Sequence, residues 1–459
     1  MSGDLAPETR DALRTAVSRA SPGIREGLER LVRIPSISAD PACAGEVRRC
    51  ADAVADWLRD AGLPEVDIVA VPGGAPAVIG RRPAPDGAPR VLLYAHHDVQ
   101  PIGAAADWET SPFEPTERGG RLYGRGAADD KAGIAAHVAA LLAHDGAPPV
   151  GVTVFVEGEE EIGSPTLAAF LAEHRDLLAA DVIVIADSTN WEVGRPALTT
   201  SLRGIADAVV DVSSLDHAVH SGLWGGPVPD ALTALCRLLA TLHDDDGNVA
   251  VDGLVAGPPP AVDYPEERFR TEAGVLDGVE LLGDGGAGER SITAQLWTRP
   301  ALSVLAIDAP AVAQASNTLV PRASAKVSLR TAPGDDAGRA LDALVRYLET
   351  HAPWGVAVSV RRGIQGQPFA MLAEGSVYDA ARAALTAAWG TAPVDIGVGG
   401  SIPFVADFAR AFPDAAILLT GVEDPDTRAH GVNESLHLAD FEKACLAEAL
   451  LLARLGAAS

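Results

Sequence analysis

Arg90-Val91-Leu92-Leu93-Tyr94-Ala95-His96-His97-Asp98 is the stretch whose reading decides the fold. A short apolar run of this kind, closed by polar residues, predicts a strand buried on both faces. Three more runs share the pattern: Val152-Thr153-Val154-Phe155-Val156, Asp181-Val182-Ile183-Val184-Ile185-Ala186 and Ala415-Ala416-Ile417-Leu418-Leu419-Thr420. Between them lie helical segments. One follows Asp129 through Leu142, and another is expected to start at Ser164-Pro165, an N-cap followed by Pro at the first helical position. Upstream, Ile24, Leu28, Leu31 and Val32 recur at helical spacing until Pro35, and a second helix is expected from about Ala44 to Leu63. Strands alternating with helices predict an α/β sheet covered on both faces.

The middle third reads differently. Ile205–Val212 predicts a strand, Pro229–Leu242 a helix, Ala323–Arg330 a strand, Asp336–Thr350 a helix and Val356–Arg361 a strand, with an irregular insertion near 245–310. This is an α+β unit of ferredoxin-like order. The helical pattern resumes with Ser376–Trp389, so an inserted domain is expected at 203–366, with an outer domain made of 1–202 and 367–459.

The 459 residues carry a formal charge of −27, spread along the chain. Such a surface repels phosphate backbones and argues against nucleic acid as a partner. No run approaches the ~18 apolar residues of a membrane helix, and the charged first 40 residues argue against a Sec-type export signal. Cys43, Cys50, Cys236 and Cys445 form no C-x-x-C pair and no disulfide framework. A cytoplasmic protein with reduced thiols is expected.

In open α/β sheets, ligands bind beyond the carboxyl ends of the strands. The four apolar runs are followed there by His96-His97-Asp98, by Glu157-Gly158-Glu159-Glu160-Glu161, by Asp187 and, across a loop, by His430. The period of two puts His96 and Asp98 on one side, where Asp98 can accept the spare ring N–H of a ligating His96. Asp129-Asp130 opens a helix after the turn Tyr123-Gly124-Arg125-Gly126. Adjacent carboxylates at Glu159–Glu161 repel one another unless cations or solvent relieve them. His, Asp, Glu, Asp and His together are what a two-metal hydrolase requires: one carboxylate bridges two divalent ions, and each ion takes a further carboxylate and an imidazole. A further, non-ligating carboxylate takes a proton from the attacking water. Nitrogen and oxygen donors without thiolate fit zinc, and also manganese or cobalt.

Three motifs, Leu93-Tyr94-Ala95-His96-His97-Asp98-Val99-Gln100-Pro101, Gly124-Arg125-Gly126-Ala127-Ala128-Asp129-Asp130-Lys131 and Glu157-Gly158-Glu159-Glu160-Glu161-Ile162-Gly163-Ser164, resemble those of the M20 metallopeptidases, and most closely their carnosinase-like dipeptidases. Ser201-Leu202-Arg203-Gly204, His220-Ser221-Gly222, Gly399-Gly400-Ser401-Ile402-Pro403 and Ala429-His430 follow in the family's order. The resemblance implies a phosphorylase/hydrolase-like mixed sheet with helices on both faces, plus the α+β ferredoxin-like insertion as a lid and dimerisation domain. It implies His96 and Asp187 on one metal, Glu161 and His430 on the other, Asp129 bridging, Glu160 as general base and Asp98 as the orienter of His96. It also implies that His220 reaches the partner's active site in a homodimer and stabilises the oxyanion. Arg330 is implied to bind the substrate's terminal carboxylate, assisted by Asn317 and Ser401. Relatives usually carry Arg where Gly397 stands, which bears on the C-terminal residue preferred but not on the metal ligands.

The expected reaction is hydrolysis of a dipeptide or small peptide with a free C-terminal carboxylate. The alternatives are deacylation of N-acyl amino acids on the same site, or a non-catalytic binding homologue. His97 is expected to pack or to stand behind the ligands. His137, His144 and His174 are expected at the surface of helices, Trp108 in the wall of a loop, and Asp244-Asp245-Asp246 in a solvated turn.

Overall fold

The computed structural model describes residues 5–282, 288, 291–400 and 403–457. Two compact units emerge: Met1–Thr200 with Leu372–Ile396 and Asp407–Ser459, and Ser201–Met371 with Gly397–Ala406. In the first unit the strand Arg90–His96 is buried from Val91 onward. It runs parallel to Gly151–Glu157 on one side and to Val182–Ile185 on the other, and Ala416–Leu419 runs parallel to Val182–Ile185 beyond. The carboxyl ends of these four strands therefore lie along one edge. The antiparallel strands Ala77–Arg82 and Glu65–Val69 extend the sheet past Gly151–Glu157, which makes it mixed.

Helices cover both faces. Lys131–Ala143 is buried nearly all round, because it is built largely of Ala, Gly, Ile, Leu and Val. It packs between the sheet and the long helices Pro7–Val32 and Leu438–Ala457. On the other face Tyr94, Phe155, Phe170 and Phe408 form an aromatic cluster, with Phe155 stacked on Phe170 at 5.0 Å between ring centroids. Among the described residues no helix is long and apolar enough to cross a membrane.

The second unit holds a four-stranded antiparallel sheet in the order Ala301–Asp308, Arg322–Thr331, Gly204–Ser213, Ala357–Gly366. The helices Ala231–Ala240 and Ala337–Thr350 pack their apolar stripes on it and close a separate core. Asp230 and Asp336 cap these helices through Thr233 N–H and Arg339 N–H.

Three expectations need correction or completion. The helix expected at Ser164-Pro165 begins at Leu167, because Ser164 takes a left-handed φ of 50° that no helix continues. The region expected to be irregular at 245–310 contributes the edge strand Ala301–Asp308. His137 is not a surface residue. It is fully buried, its Nδ1 2.8 Å from a Glu448 carboxylate oxygen and its Nε2 3.0 Å from the Tyr94 carbonyl. Asp244 does form a turn, its carboxylate accepting from the N–H groups of Asp246 and Asn248.

Candidate metal centre

His96 is the last residue of its strand, and its ring is wholly buried. Its Nε2 lies 3.1 Å from Asp129 Oδ1, 3.9 Å from Glu160 Oε2 and 4.0 Å from Asp187 Oδ2. Asp129 turns its other oxygen, Oδ2, to His430 Nε2 at 3.1 Å. His430 Nε2 is also 3.2 Å from Glu161 Oε2. The two oxygens of one carboxylate thus face two different imidazoles, each with a further acid beside it. Donor atoms of His96, Glu160 and Asp187 lie within 4.8 Å of one another, as do those of His96, Asp129 and Glu161.

The backbone that presents these groups is held by charge-assisted bonds. His96 Nδ1 is 3.0 Å from the Asp98 carbonyl and 3.4 Å from its carboxylate. The buried Asp98 carboxylate accepts the backbone N–H groups of Glu160 and Glu161, at 3.2 and 3.1 Å. One aspartate therefore stands behind the histidine and fixes the turn that carries both glutamates. Glu159 faces away from them, its carboxylate accepting from Ala75 N–H, Thr166 N–H and the Thr166 hydroxyl. The expected repulsion in the Glu159–Glu161 run is relieved for Glu159 by these donors. His97 Nε2 donates to the Pro76 carbonyl at 2.8 Å. Trp108 is buried, and its indole N–H donates to the Ile102 carbonyl.

Residues without an assigned role in the sequence reading complete the frame. Gln100 donates its backbone N–H and its amide to the Glu161 carboxylate, at 3.0 and 2.7 Å. Glu434 is wholly buried and accepts from Arg125 Nη1 at 2.7 Å and from the N–H groups of Gly126, Ala128 and Asp129. Arg125 Nη2 donates to the carbonyls of Pro101, His430 and Gly431. His430 itself has a left-handed φ of 62°, a conformation that costs about 1–3 kcal/mol and is here held by those bonds. Gln100 and Arg125 stand inside quoted motifs, and Glu434 lies four residues past His430, but no periodicity marks them.

The cluster is short of positive charge. Burial first, and neighbouring carboxylates after it, push Asp187 up to about 7 and push Glu160 and Glu423 well above the usual carboxylate range. The bonds to Asp129 and Glu161 raise His430 to about 11. Hydrogen bonds from both histidines outweigh burial and hold Asp129 low. Acids that keep protons and imidazoles that gain them are the response of a buried anionic cluster lacking its counter-charge. The donor set of imidazole and carboxylate fits divalent cations.

In the second unit, His220 is exposed on the strand Val219–His220, which pairs with Thr318–Leu319. Its Nδ1 accepts from Gly222 N–H, and Ser221 N–H donates to the Asn317 carbonyl, so His220 and Asn317 are neighbours. Arg330 sits half-buried on the strand Arg322–Thr331. Ser401 lies outside the described residues.

Clustered imidazoles and carboxylates at the carboxyl edge of a mixed α/β sheet define a metal-dependent hydrolase. Residues 92–454 match the sequence model of peptidase family M20/M25/M40, and the chain belongs to that family. With it comes the use of divalent metal ions. The chain is 37% identical to the cysteinylglycine-S-conjugate dipeptidase of Corynebacterium striatum over 391 residues, 83% of this chain and 84% of that one. It is 28% identical to the human Beta-Ala-His dipeptidase over 395 residues, 82% of this chain and 76% of that one. The crystal structure of human carnosine dipeptidase 1 superposes with a TM-score of 0.83 at 25% identity, covering 98% of this chain and 100% of that chain.

Proposed function

We propose that this chain is a dipeptidase that uses two divalent ions, zinc in the first instance, to cleave the amide bond of dipeptides and small peptides bearing a free C-terminal carboxylate. The observation that carries this reading is Asp129, whose Oδ1 and Oδ2 face His96 and His430 separately, at 3.1 Å each. His96 and Asp187 would hold one ion, Glu161 and His430 the other, with Asp129 between them. When bound, the ions acidify water and polarise the scissile carbonyl. Glu160 takes the proton of the attacking water and delivers it to the leaving amine. Asp98 keeps His96 in orientation and keeps Glu160 and Glu161 in place through their N–H groups. His220 donates to the oxyanion from the partner of a homodimer built on the 203–366 domain, which also acts as a lid. Arg330, with Asn317 and Ser401, receives the terminal carboxylate. The free cysteines accord with a reducing, cytoplasmic setting.

The named activities of the relatives choose the test. Purified, metal-loaded protein is assayed against Cys-Gly, β-Ala-His, other dipeptides and N-acetyl amino acids, with metal content measured on the same sample. Turnover of dipeptides with two metals per chain is expected. Preference for acetyl substrates would replace the reading with a deacylase, and inactivity on both sets with a binding protein. Mixing His220→Ala with Glu160→Gln tests the dimer: mixed dimers hold one site with both residues intact, so part of the activity returns. Full activity of a monomer in sedimentation would remove the trans role of His220.

A further inference from the structure

The strands Val182–Ile185 and Ala416–Leu419 run side by side, and the loops beyond their carboxyl ends are pressed together. A Cβ on Gly421 would lie 1.4 Å from the Ser188 carbonyl oxygen, so only glycine lets the two loops approach this closely. Asn190 then ties them. Its side-chain amide donates to the Gly421 carbonyl at 3.3 Å, and its backbone N–H donates to the Glu423 carbonyl at 2.9 Å. Thr189 and Glu423 face each other across an isolated bridge. Glu423 is thereby fixed beside the segment that begins with Asp187. The next residue, Asp424, is buried, and both its carboxylate oxygens accept from Arg121 Nη2, at 3.0 and 2.9 Å.

Glu423 has no such partner. It is half-buried, and among the described residues its carboxylate makes no hydrogen bond and no ion pair. The charges that act on it are those of the metal centre. Burial first, then Asp129, Asp187 and Glu434, push its carboxyl well above the usual range, and His430 opposes them. Yet Glu423 belongs to neither group of donor atoms that could cage an ion. The two divalent ions of the proposed function already meet the carboxylates of Asp129, Glu160, Glu161 and Asp187, which match their charge without Glu423. A dipeptide brings one more positive charge. Its amino group stands one carbon from the scissile carbonyl and is largely protonated at neutral pH, with an ordinary pKa of about 7.7–8.0. It must come to rest close to two dications that repel it. A carboxylate at the rim of the centre offsets that repulsion and accepts the N–H groups of the ammonium. An N-acyl amino acid carries no such charge.

We propose that Glu423 binds the free α-ammonium group of the substrate and so makes the centre select dipeptides over N-acyl amino acids. The inference rests on the dipeptidase reading above and adds to it the residue that recognises the amino end. Glu423 is a binding and specificity residue in this scheme: it touches the substrate, but neither an ion nor the attacking water. Its partial exposure leaves the carboxylate open to a ligand, and the contacts of Asn190 and Gly421 fix its backbone before any ligand arrives.

Glycyl-leucine and N-acetyl-leucine test this, because they share the scissile amide and the leaving amino acid and differ only in the ammonium group. On the metal-loaded wild type, kcat/KM should be at least about tenfold higher for glycyl-leucine. Glu423→Gln keeps the shape and loses the charge. It should cost about tenfold to a hundredfold on glycyl-leucine, seen mainly in KM, and lower the glycyl-to-acetyl ratio by the same factor. Glu423→Asp, which keeps the charge on a shorter arm, should retain part of the preference. Elemental analysis should find the same metal content in both variants as in the wild type. Equal losses on the two substrates in Glu423→Gln would make the residue structural, and lost metal would make it a ligand. Either result overturns the proposal and leaves the dipeptidase reading standing. If Glu423→Gln does not fold, Glu423→Asp decides: an unchanged glycyl-to-acetyl ratio overturns the proposal. A wild type that turns over both substrates alike also overturns it. A wild type that prefers N-acetyl-leucine, or hydrolyses neither, overturns the dipeptidase reading and the proposal together.

Discussion

Glu434 and Glu160 are acids of the same unit, yet they are solvated by the protein in opposite ways. Glu434 is wholly buried and receives Arg125 and the N–H groups of Gly126, Ala128 and Asp129. Burial still raises its carboxyl above the usual range, but Arg125 and these N–H groups oppose that shift, and its work is structural: it shapes the turn that presents Asp129. Glu160 is also largely buried, but the nearest cation is His96 at 3.9 Å, and Asp187, Glu161 and Asp98 all repel its charge. The contrast separates a carboxylate that completes a framework from one that waits for chemistry.

The contrast is broken most directly at Asp129. Asp129→Ala should abolish stoichiometric metal binding and with it measurable turnover, because two cations then repel with no shared anion. Two metals per chain in that variant, by elemental analysis, would show that Asp129 is no bridge. Glu160→Gln should keep both metals and lose about 10²–10⁴-fold in kcat. Glu161→Gln should lose metal instead, and the reverse pattern would exchange the roles of these neighbours, a distinction that matters because His96, Glu160 and Asp187 could also cage an ion.

Glu434→Gln sharpens the structural side. Removing one member of a buried pair leaves Arg125 uncompensated, and a loss of about 3–5 kcal/mol in denaturant unfolding is expected. A loss under about 1 kcal/mol would put Glu434 among surface-like pairs. A smaller effect is expected at His137, which touches acceptors at both ring nitrogens and so is an imidazolium in the fold. Burial lowers its pKa, but the charge and hydrogen bond of Glu448 together with the Tyr94 carbonyl outweigh burial and raise it. Its contribution is then complete below the unfolded value of about 6.5 and is lost as pH rises through the higher folded value. For metal-free protein, the stability gap between wild type and His137→Gln should be about 2 kcal/mol at pH 6 and shrink on the alkaline side. A gap that widens with pH would reverse the assignment. Finally, metal binding should release protons at pH 7, because His430 is raised to about 11 and Asp187 to about 7 in the metal-free cluster. Paired titrations in buffers of different ionisation enthalpy measure this directly.

The strands that carry the site were legible because burial on both faces leaves continuous apolar runs, as in Val91–Ala95 and Val182–Ile185. Ala301–Asp308 escaped notice for the converse reason. It is an edge strand whose short apolar run Val304-Leu305-Ala306-Ile307 is exposed, so the run does not report burial on two faces. His137 was misread because its helix is buried on every side, and a lone polar residue in such a helix looks like a surface position until Glu448 is brought to it.

The sequence by itself determined which chemistry could assemble: strand ends bearing His96, Glu160, Glu161 and Asp187, a turn bearing Asp129, and His430 far along the chain. These are local patterns, and local periodicity dictates them. Only the tertiary structure decided which oxygen of Asp129 meets which imidazole, that Asp98 braces both glutamates, and that Arg125 and Glu434 close on each other. Those pairings join residues that stand far apart in the chain and are selected by the cost of leaving a buried charge unanswered. That cost exists only once the chain has folded and excluded water.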